Sequence, residues 1–276
     1  MNECDLIIAL GSSFSKHTGI EKSKPIIQVD YDPLQLGRFH AIDYPVLGEI
    51  GVTMNAFSSA MKTHKMEDQR SEIAERWNIW RAEKENRRQD KSEKGLSSAV
   101  IFDVVSKVTP DDAVIAVDVG NNTYSFGRYF ECRGQSVLMS GYLGSIGFSF
   151  PAAIGAWAAT QDKAEFKGRK VVSISGDGGF GQYAMEFTTA VQYGMNITHI
   201  LLNNSQLGKI SKEQRAGDWA VWQTSLHNPN FAGFARACGG HGKRVTKAED
   251  LPAALKEALA YPGPSLVEII SDPDLI

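Results

Sequence analysis

Two side chains of this sequence, Asp177 and Asn204, have the types and the spacing that a chemical site needs. Asp177 stands between two glycines in GDGG, after the apolar run VVSIS, and Asn204 closes the next apolar run, ITHILLNN. A carboxylate and an amide oxygen are hard ligands that suit Mg²⁺ or Ca²⁺ better than Zn²⁺. Mg²⁺ usually completes its octahedral shell with water and substrate phosphates. The pair therefore predicts a divalent-cation site.

The glycines that follow Asp177 predict an anion site at the same place. Gly178 and Gly179 leave backbone N–H groups uncovered, and the pattern that starts near Phe180 is helical. The first N–H groups of a helix have no partner within it, so its N-terminus favours negative charge. A GDG sequence alone is more typical of a glycine turn with a capping aspartate. The pair Asn203–Asn204 makes the combination specific, because buried amides are costly unless hydrogen-bonded. A metal beside a helix N-terminus predicts a diphosphate ligand.

Alternating helices and strands after Gly95 predict the element that positions these residues. The strand segments are AVIAVDVG, VLMS, KVVSISGDGG, NITHILLNN and SLVEIIS. Alternation of this kind is typical of an α/β fold with a doubly wound parallel sheet, in which ligands bind beyond the carboxyl ends of the strands. FGQYAMEFTTAVQYG is predicted as one helix that ends at Gly194. We expect the polar strand ends to meet in one crevice: Asp118, Ser140, Asp177 and Asn203–Asn204.

The first part of the chain shows a second, shorter pattern. Strands are predicted for DLIIAL, PIIQVDYDP and VLGEI, at 5–10, 25–33 and 46–50, and they resemble half of a Rossmann-like domain. The charged stretch 72–94 predicts a solvated linker helix that rests Trp77 and Trp80 on a neighbour. The alternative for this stretch is a nucleic-acid arm, but acids interrupt its basic clusters.

Composition narrows the class of protein. The formal net charge is −3, so no overall basic field attracts nucleic acid. The first residues do not read as a signal peptide, and no apolar run is long enough to span a bilayer. The three cysteines are an odd number without a CxxC pair, which favours a reduced, cytoplasmic protein over a disulfide framework or zinc site.

The motifs together resemble a known family. GDGGF with LNNSQLGKI resembles the thiamin-diphosphate signature of the pyruvate oxidase and acetolactate synthase family. SGYLGSIGFSFPAAIGA and DVGNNTYSFGRYF resemble two of its preceding elements, and DLIIALGSSF, VDYDP and LGEI resemble the end of its central, nucleotide-binding domain. The resemblance covers essentially the whole chain. It implies the end of the central domain over 1–62, a linker helix over 63–94 and a thiamin-diphosphate-binding domain over 95–276.

The resemblance also implies roles for individual residues. Asp177 and Asn204 would bind Mg²⁺ through their side chains, and Gln206 through its carbonyl. The Gly144 carbonyl would accept from the aminopyrimidine, and Ile146 would be the apolar support of the bent cofactor; the alternative for Ile146 is a core residue. The other cofactor-binding residues that it implies are Asn121, Asn122, Ser145, Gly176, Gly178, Gly179, Leu207 and Gly208.

The implied reaction is decarboxylation of pyruvate or a similar small 2-keto acid, with the cofactor stabilising the carbanion. NNSQLGKI and GPSLVEIISDP favour the pyruvate oxidase side over the acetolactate synthase side. A binding module without turnover and a structural subunit are the alternatives. Family members take an activating glutamate from an N-terminal pyrimidine-binding domain. We expect that domain or subunit as a partner, a chain inactive alone, and a homo-oligomer.

Two features leave alternatives open. Oxidase and synthase relatives bind FAD on the central domain, where their Arg-Phe-Asp-Asp is replaced here by Ser13-Phe14-Ser15-Lys16. Asp30 and Asp32 would either meet a flavin adenosine or form a turn before Pro33. The segment 209–230 lies where relatives keep a mobile substrate loop, and its Trp219 and Trp222 would either line the pocket or pack.

Overall fold

A computed structural model of the protein describes residues 3–12, 19–62, 67–90, 92–141 and 143–274. The chain divides into two units, Met1–Ile73 and Ala74–Ile276. The predicted domain boundaries after residues 62 and 94 stay predictions. Among the described helices, none combines the length and the apolar character that crossing a membrane requires.

The first unit contains a small parallel sheet. Its strands are β1 (Ile7–Leu10), β2 (Ile26–Asp30) and β3 (Tyr44–Leu47), in the order β1-β2-β3, followed by the helix α1 (Ile50–Ala60). The strand predicted over 46–50 therefore begins two residues late and extends three residues too far. Glu49 caps α1 instead, since its carboxylate accepts from the N–H groups of Gly51 at 2.9 Å and Val52 at 2.7 Å.

Asp30 and Asp32 build a turn at the end of β2. The Asp32 N–H donates to Asp30 Oδ1 at 3.0 Å, and the Leu34 N–H donates to Asp32 Oδ1 at 2.9 Å. These contacts are the ones that the turn interpretation predicts. The other residues of the flavin question, Ser13–Lys16, lie outside the described residues.

A long polar helix, α2 (Arg70–Arg88), occupies most of the predicted linker, and none of its described residues is buried. Trp80 stacks on Tyr129 with the ring centroids 6.4 Å apart, and its indole N–H donates to the Arg128 carbonyl at 3.2 Å. Trp77 is 45% exposed and packs under the Arg81 guanidinium instead.

The second unit is built on a parallel sheet of six described strands in the order β5-β4-β6-β7-β9-β8. In chain order they are β4 (Val114–Val117), β5 (Ser136–Met139), β6 (Val171–Gly176), β7 (Ile197–Asn203), β8 (His241–Val245) and β9 (Ser265–Ile270). The central strands read as apolar runs because both faces of the sheet are covered.

Helices cover the two faces of this sheet. They are α3 (Ser98–Val108), α4 (Asn121–Tyr129), α5 (Ser149–Asp162), α6 (Asp177–Tyr183), α7 (Glu186–Gln192), α8 (Gly208–Ala216), α9 (Phe231–Ala237) and α10 (Leu251–Ala260), with short 3₁₀ turns at Ala164–Phe166 and Ala248–Asp250. One core contains Phe102 and Leu255, and the opposite core contains Phe150 and Phe187. This architecture confirms the predicted doubly wound α/β fold.

Three local predictions are wrong in detail. The helix predicted over FGQYAMEFTTAVQYG is two helices, α6 and α7, and α6 begins at Asp177 rather than near Phe180. The segment after Leu207, predicted as a loop, begins with α8. The strand β8 was not predicted. It lies at the edge of the sheet and contains the exposed Lys243 and Arg244, so its sequence lacks the apolar run that indicates a buried strand.

Candidate functional site

A cleft of about 340 Å³ opens at the carboxyl ends of the strands of the second unit. It is lined by the segments that follow β4, β6, β7 and β9, together with Gly144 and Ile146 from the segment after β5. This is the edge at which ligands of doubly wound sheets bind. All but one of the predicted site residues line it: Asn121, Asn122, Gly144, Ile146, Gly176, Asp177, Gly178, Gly179, Asn204, Gln206, Leu207 and Gly208.

Ser145 is the exception among the predicted site residues. It lines a separate, more open pocket together with Ser140, so the predicted convergence of Ser140 on the main cleft is also wrong. Ile146 lines both pockets and is 39% exposed, which contradicts the alternative that it is a core isoleucine.

Asp118 does not line the cleft, although it ends a central strand. It is 1% exposed, and its carboxylate accepts from the backbone N–H groups of Gly147 at 2.9 Å and Ser149 at 3.1 Å. A buried carboxylate is stable when several donors satisfy it. Asp118 therefore fixes the turn before α5, next to the segment that carries Gly144 and Ile146 into the cleft.

Asp177 is buried at the first position of α6, where its carboxylate accepts several hydrogen bonds. Its Oδ1 accepts from the Gly178 N–H at 3.0 Å, and its Oδ2 accepts from Asn228 Nδ2 at 2.7 Å. Burial raises the pKa of the Asp177 carboxyl, and the hydrogen bonds from Asn228 and from the backbone N–H groups of Gly178, Ser205 and Asp177 itself oppose that shift. The register that pairs Gly176 of β6 with Leu202 of β7 places Asp177 beside the end of β7.

The side chains of Asn203 and Asn204 lie in different places and have different hydrogen-bond partners. Asn203 is buried outside the cleft and accepts from the Ser205 N–H at 3.2 Å, whereas Asn204 lines the cleft and accepts from the Gln206 N–H at 3.0 Å. Two successive turns of this type place Ser205 in the left-handed region, at φ +54°. They bring the Asn204 side chain and Gln206 to the cleft.

Two glycines allow the walls of the cleft to approach closely. A Cβ atom on Gly208 would lie 2.6 Å from Asn121 Nδ2, and one on Gly178 would lie 2.6 Å from a methyl carbon of Leu207. Both distances are too short for a side chain, so the backbone forms the wall at these positions.

Asn121 Nδ2, at the first position of α4, is buried without a hydrogen-bond partner. An unpaired buried amide costs about 1–3 kcal/mol, so such a group indicates a ligand that the protein is built to receive. Its neighbour Asn122 is different, because its amide already donates to the Asp118 carbonyl at 2.7 Å.

Comparison with known families identifies the domain that contains most of the cleft. The model of the family described as "Thiamine pyrophosphate enzyme, C-terminal TPP binding domain" matches residues 118–269. The chain belongs to the thiamine pyrophosphate enzymes. The central-domain model of the same enzymes matches residues 1–57. The family resemblance of the motifs is thus confirmed, and most of the residues that line the cleft lie in the part matched by the C-terminal TPP binding domain.

Individual relatives of this thiamine pyrophosphate enzyme agree. YdaP of Bacillus subtilis, whose name describes it provisionally as a thiamine pyrophosphate-containing protein, is 32% identical over 98% of this chain and 46% of its own length. The large subunit of acetolactate synthase isozyme 2 of Escherichia coli is 25% identical over 99% of this chain and 48% of its own length. The acetolactate synthase large subunit of Cyanidium caldarium is 27% identical over 98% and 47%. The chain spans about half the length of the curated relatives that it matches.

The residues of the cleft fit thiamin diphosphate and a hard cation. The unpaired Asn121 amide is a donor suited to a phosphate oxygen, and the glycine walls leave room beside it. Among the described residues, no three His, Cys, Asp or Glu side chains cluster as for a transition metal. A set of one carboxylate, one amide oxygen and one carbonyl is what Mg²⁺ accepts.

Sequence reasoning missed several residues of this thiamine pyrophosphate enzyme. Asn228 contacts Asp177 from a loop that carried no signal, since no strand or glycine motif precedes it. Lys209 is the one cation among the described lining residues; its Nζ lies 3.0 Å from Glu213 Oε1 and 5.0 Å from the Tyr124 ring centroid. The other unpredicted lining residues include Ser98, Ser125, Ile210, Ser271 and Asp272.

The tryptophans of the segment 209–230 neither line this cleft nor lie buried. Trp219 and Trp222 are 71% and 72% exposed. The backbone of Trp222 is held by Gln214, which donates to its carbonyl and accepts from its N–H, each at 3.2 Å. Neither tryptophan lines the described cleft, and the Trp219 indole lies against the Gly217 backbone.

Proposed function

We propose that the cleft binds thiamin diphosphate and Mg²⁺. We also propose that the chain is the half of an enzyme that carries the diphosphate-binding domain, and that this enzyme decarboxylates pyruvate or a similar 2-keto acid. The unpaired Asn121 amide carries the proposal, because it lies against Gly208, close to the Asn204 amide, in the same cleft as Asp177. The proposal combines a donor for a phosphate oxygen with ligands for a hard cation.

The residues of the chain divide the binding task. The Asp177 carboxylate, the Asn204 side chain and the Gln206 carbonyl would hold the cation, and Asn121 with the Gly179 N–H would hold the diphosphate. The Gly178 N–H already donates to Asp177 Oδ1, so Gly178 would contribute its bare backbone beside the diphosphate. Because the Asn122 amide is used by Asp118, we assign its contact to its backbone N–H, at the start of α4. Gly176, Leu207 and Gly208 would form the remaining wall.

The thiazolium end of the cofactor would lie toward Gly144 and Ile146. Gly144 has φ +65°, in the left-handed region that favours glycine, and Asp118 holds the turn that follows. We assign the Gly144 carbonyl as acceptor for the aminopyrimidine and Ile146 as the support of the bent cofactor. Ser145 lines the neighbouring pocket, so any contribution would come from its backbone. The bound cofactor supplies the electron sink for the carbanion that decarboxylation leaves.

Two reactions remain candidates for the fate of the two-carbon unit. The motifs NNSQLGKI and GPSLVEIISDP favour an oxidase of pyruvate. The relatives named as acetolactate synthase large subunits favour carboligation at least as strongly. A thiamin-diphosphate-binding module without turnover is the third candidate, and the presence of every predicted cation ligand in the cleft argues against it.

The proposal includes a partner. None of the described residues that line the cleft is a glutamate, so we assign the activating glutamate to a partner, a pyrimidine-binding domain or subunit. FAD binding has no support from the described contacts of Asp30 and Asp32, which serve a turn. We propose a cytoplasmic location on the odd number of cysteines without a CxxC pair.

The first test is substitution of the carboxylate ligand. Wild-type protein titrated with thiamin diphosphate in a calorimeter should show saturable binding that requires MgCl₂. Asp177→Ala should lose this Mg²⁺-dependent binding, by at least about 100-fold in affinity, because a carboxylate ligand is removed.

The matched control is Asp162→Ala, an exposed aspartate at the end of α5 that does not line the cleft. It should bind as the wild type does. Unchanged Mg²⁺-dependent affinity in Asp177→Ala would refute the assigned cation site.

A further inference from the structure

We infer that Asn228 is a positioning residue for the cation: its side chain joins the Asp177 carboxylate at the end of β6 to the Asn203 side chain at the end of β7. The inference rests on the proposed function, because it concerns how the proposed cation ligands are held. We call the side chains of Asn228, Asn203 and Glu268 the polar clip.

The centre of the polar clip is a single amide nitrogen. Asn228 Nδ2 lies 2.7 Å from Asp177 Oδ2 and 2.9 Å from Asn203 Oδ1. An amide nitrogen carries two hydrogens, so it can donate to both oxygens at once. Asn228 therefore ties together side chains from two neighbouring strands, and both strands lead into a proposed cation ligand.

The other end of the clip fixes how the Asn203 amide is oriented. Asn203 Nδ2 donates to Glu268 Oε1 at 2.8 Å, and Glu268 is a fully buried residue of β9. The Ser205 backbone N–H can only donate and lies against Asn203 Oδ1, so the oxygen of Asn203 faces Ser205 and Asn228 and its nitrogen faces Glu268. Glu268 is itself held, since its Oε2 accepts from the Ala232 N–H at 3.1 Å and Arg244 lies 3.5 Å from its Oε1.

The clip acts on both proposed side-chain ligands. It directs Oδ2 of Asp177 toward Asn228, and so selects one orientation of the carboxylate before any cation binds. Asn203 Oδ1 also accepts from the Ser205 N–H, which begins the turn that presents Asn204. Residues that orient a metal ligand without touching the metal commonly change metal affinity by about 10–100-fold.

The loop that carries Asn228 provides a matched control. Asn230, two residues later, caps α9 by accepting from the Gly233 N–H at 2.7 Å, and it is not part of the clip. A variant at Asn230 loosens the same loop without removing the contact to Asp177. Comparing the two positions separates an effect on the cation ligands from general loosening of the loop.

The test measures Mn²⁺ binding, with Mn²⁺ as a paramagnetic substitute for Mg²⁺, by electron paramagnetic resonance in the presence of thiamin diphosphate. Asn228→Leu keeps the volume and removes the donor, and it should raise the Mn²⁺ dissociation constant by about 10–100-fold and alter the signal of the bound ion. Asn230→Ala should bind Mn²⁺ within about threefold of the wild type, even if its thermal unfolding midpoint falls as far as that of Asn228→Leu.

Each outcome has a defined meaning. Wild-type Mn²⁺ affinity and signal in Asn228→Leu would overturn the inference, and so would an equal loss in Asn230→Ala. If Asn228→Leu does not fold, Asn228→Ala, whose space water can fill, is measured in its place with the same expectation. If the wild type itself binds neither Mn²⁺ nor thiamin diphosphate, the proposed function fails, and the inference fails with it.

Discussion

At the scale of one residue, His199 shows how polar side chains are satisfied inside the sheet of the second unit. Its ring is fully buried in β7, with Nδ1 2.9 Å from Ser173 Oγ and Nε2 3.1 Å from Ser175 Oγ. The ring also stacks on Phe180 of α6, with the centroids 4.4 Å apart. One ring nitrogen donates and the other accepts, so the neutral imidazole satisfies both serines.

The buried His199 predicts a pH dependence of stability. Burial lowers its pKa from 6.5 to about 3, so between these values the unfolded chain binds a proton that the folded chain does not. The free energy of unfolding therefore falls as the pH falls, by about 1.4 kcal/mol per pH unit from this residue. His199→Gln, which keeps a donor and an acceptor but does not titrate, should lose that part of the slope in urea unfolding between pH 6 and pH 4. Equal slopes in the two proteins would contradict the prediction.

At the scale of an element, the part of α2 within the second unit is held by polar contacts rather than by a buried face. Glu131 accepts from Arg81 at 3.0 Å and also pairs with Lys84, while Trp80 stacks on Tyr129. Hydrogen bonds from Arg81 and Lys84 lower the pKa of Glu131 to about 2. A lowered carboxyl pKa means that this contribution is complete above pH 4.5 and is lost as the pH falls toward 2.

Glu131→Gln should therefore release α2. Because Glu131 is about one third exposed, solvent screening limits its contribution to about 1 kcal/mol. Hydrogen–deuterium exchange in peptides covering 74–88 should then quicken by about fivefold at neutral pH, and added salt should narrow the difference. Glu249→Gln, at an exposed glutamate in the Ala248–Asp250 turn, is the control and should leave the exchange unchanged. Exchange that does not differ between the two variants would show that Glu131 does not hold the helix.

At the scale of the whole molecule, the chain spans about half of its relatives, and the cleft lacks a described glutamate. We predict that this chain with thiamin diphosphate, Mg²⁺ and pyruvate does not turn over by itself. Adding a pyrimidine-binding domain that supplies the glutamate should start the release of carbon dioxide. Steady decarboxylation by the isolated chain, at a rate typical of an enzyme, would contradict the assigned partner.

In the active mixture, acetolactate as product would decide for carboligation, and reduction of an added electron acceptor would decide for the oxidase.

Short-range patterns were enough to predict the fold class and most of the cleft. Apolar runs and helical periodicity are properties of neighbouring residues, so they located the central strands and placed Asp177 and Asn204 at the ends of two of them. In a parallel sheet the carboxyl ends of neighbouring strands lie at one edge, so the residue types at those ends already predicted a shared cation site.

Contacts between distant segments decided the rest. Asp118 and Asn203 end strands as Asp177 and Asn204 do, yet the tertiary structure directs the first two into the protein as anchors. Asn228 reaches Asp177 only because the loop before α9 folds back across the strand ends. Such contacts depend on the order of strands and the path of loops, which local propensity does not encode. For this reason the sequence predicted which residues could bind a cation, and the fold determined which side chains hold them in place.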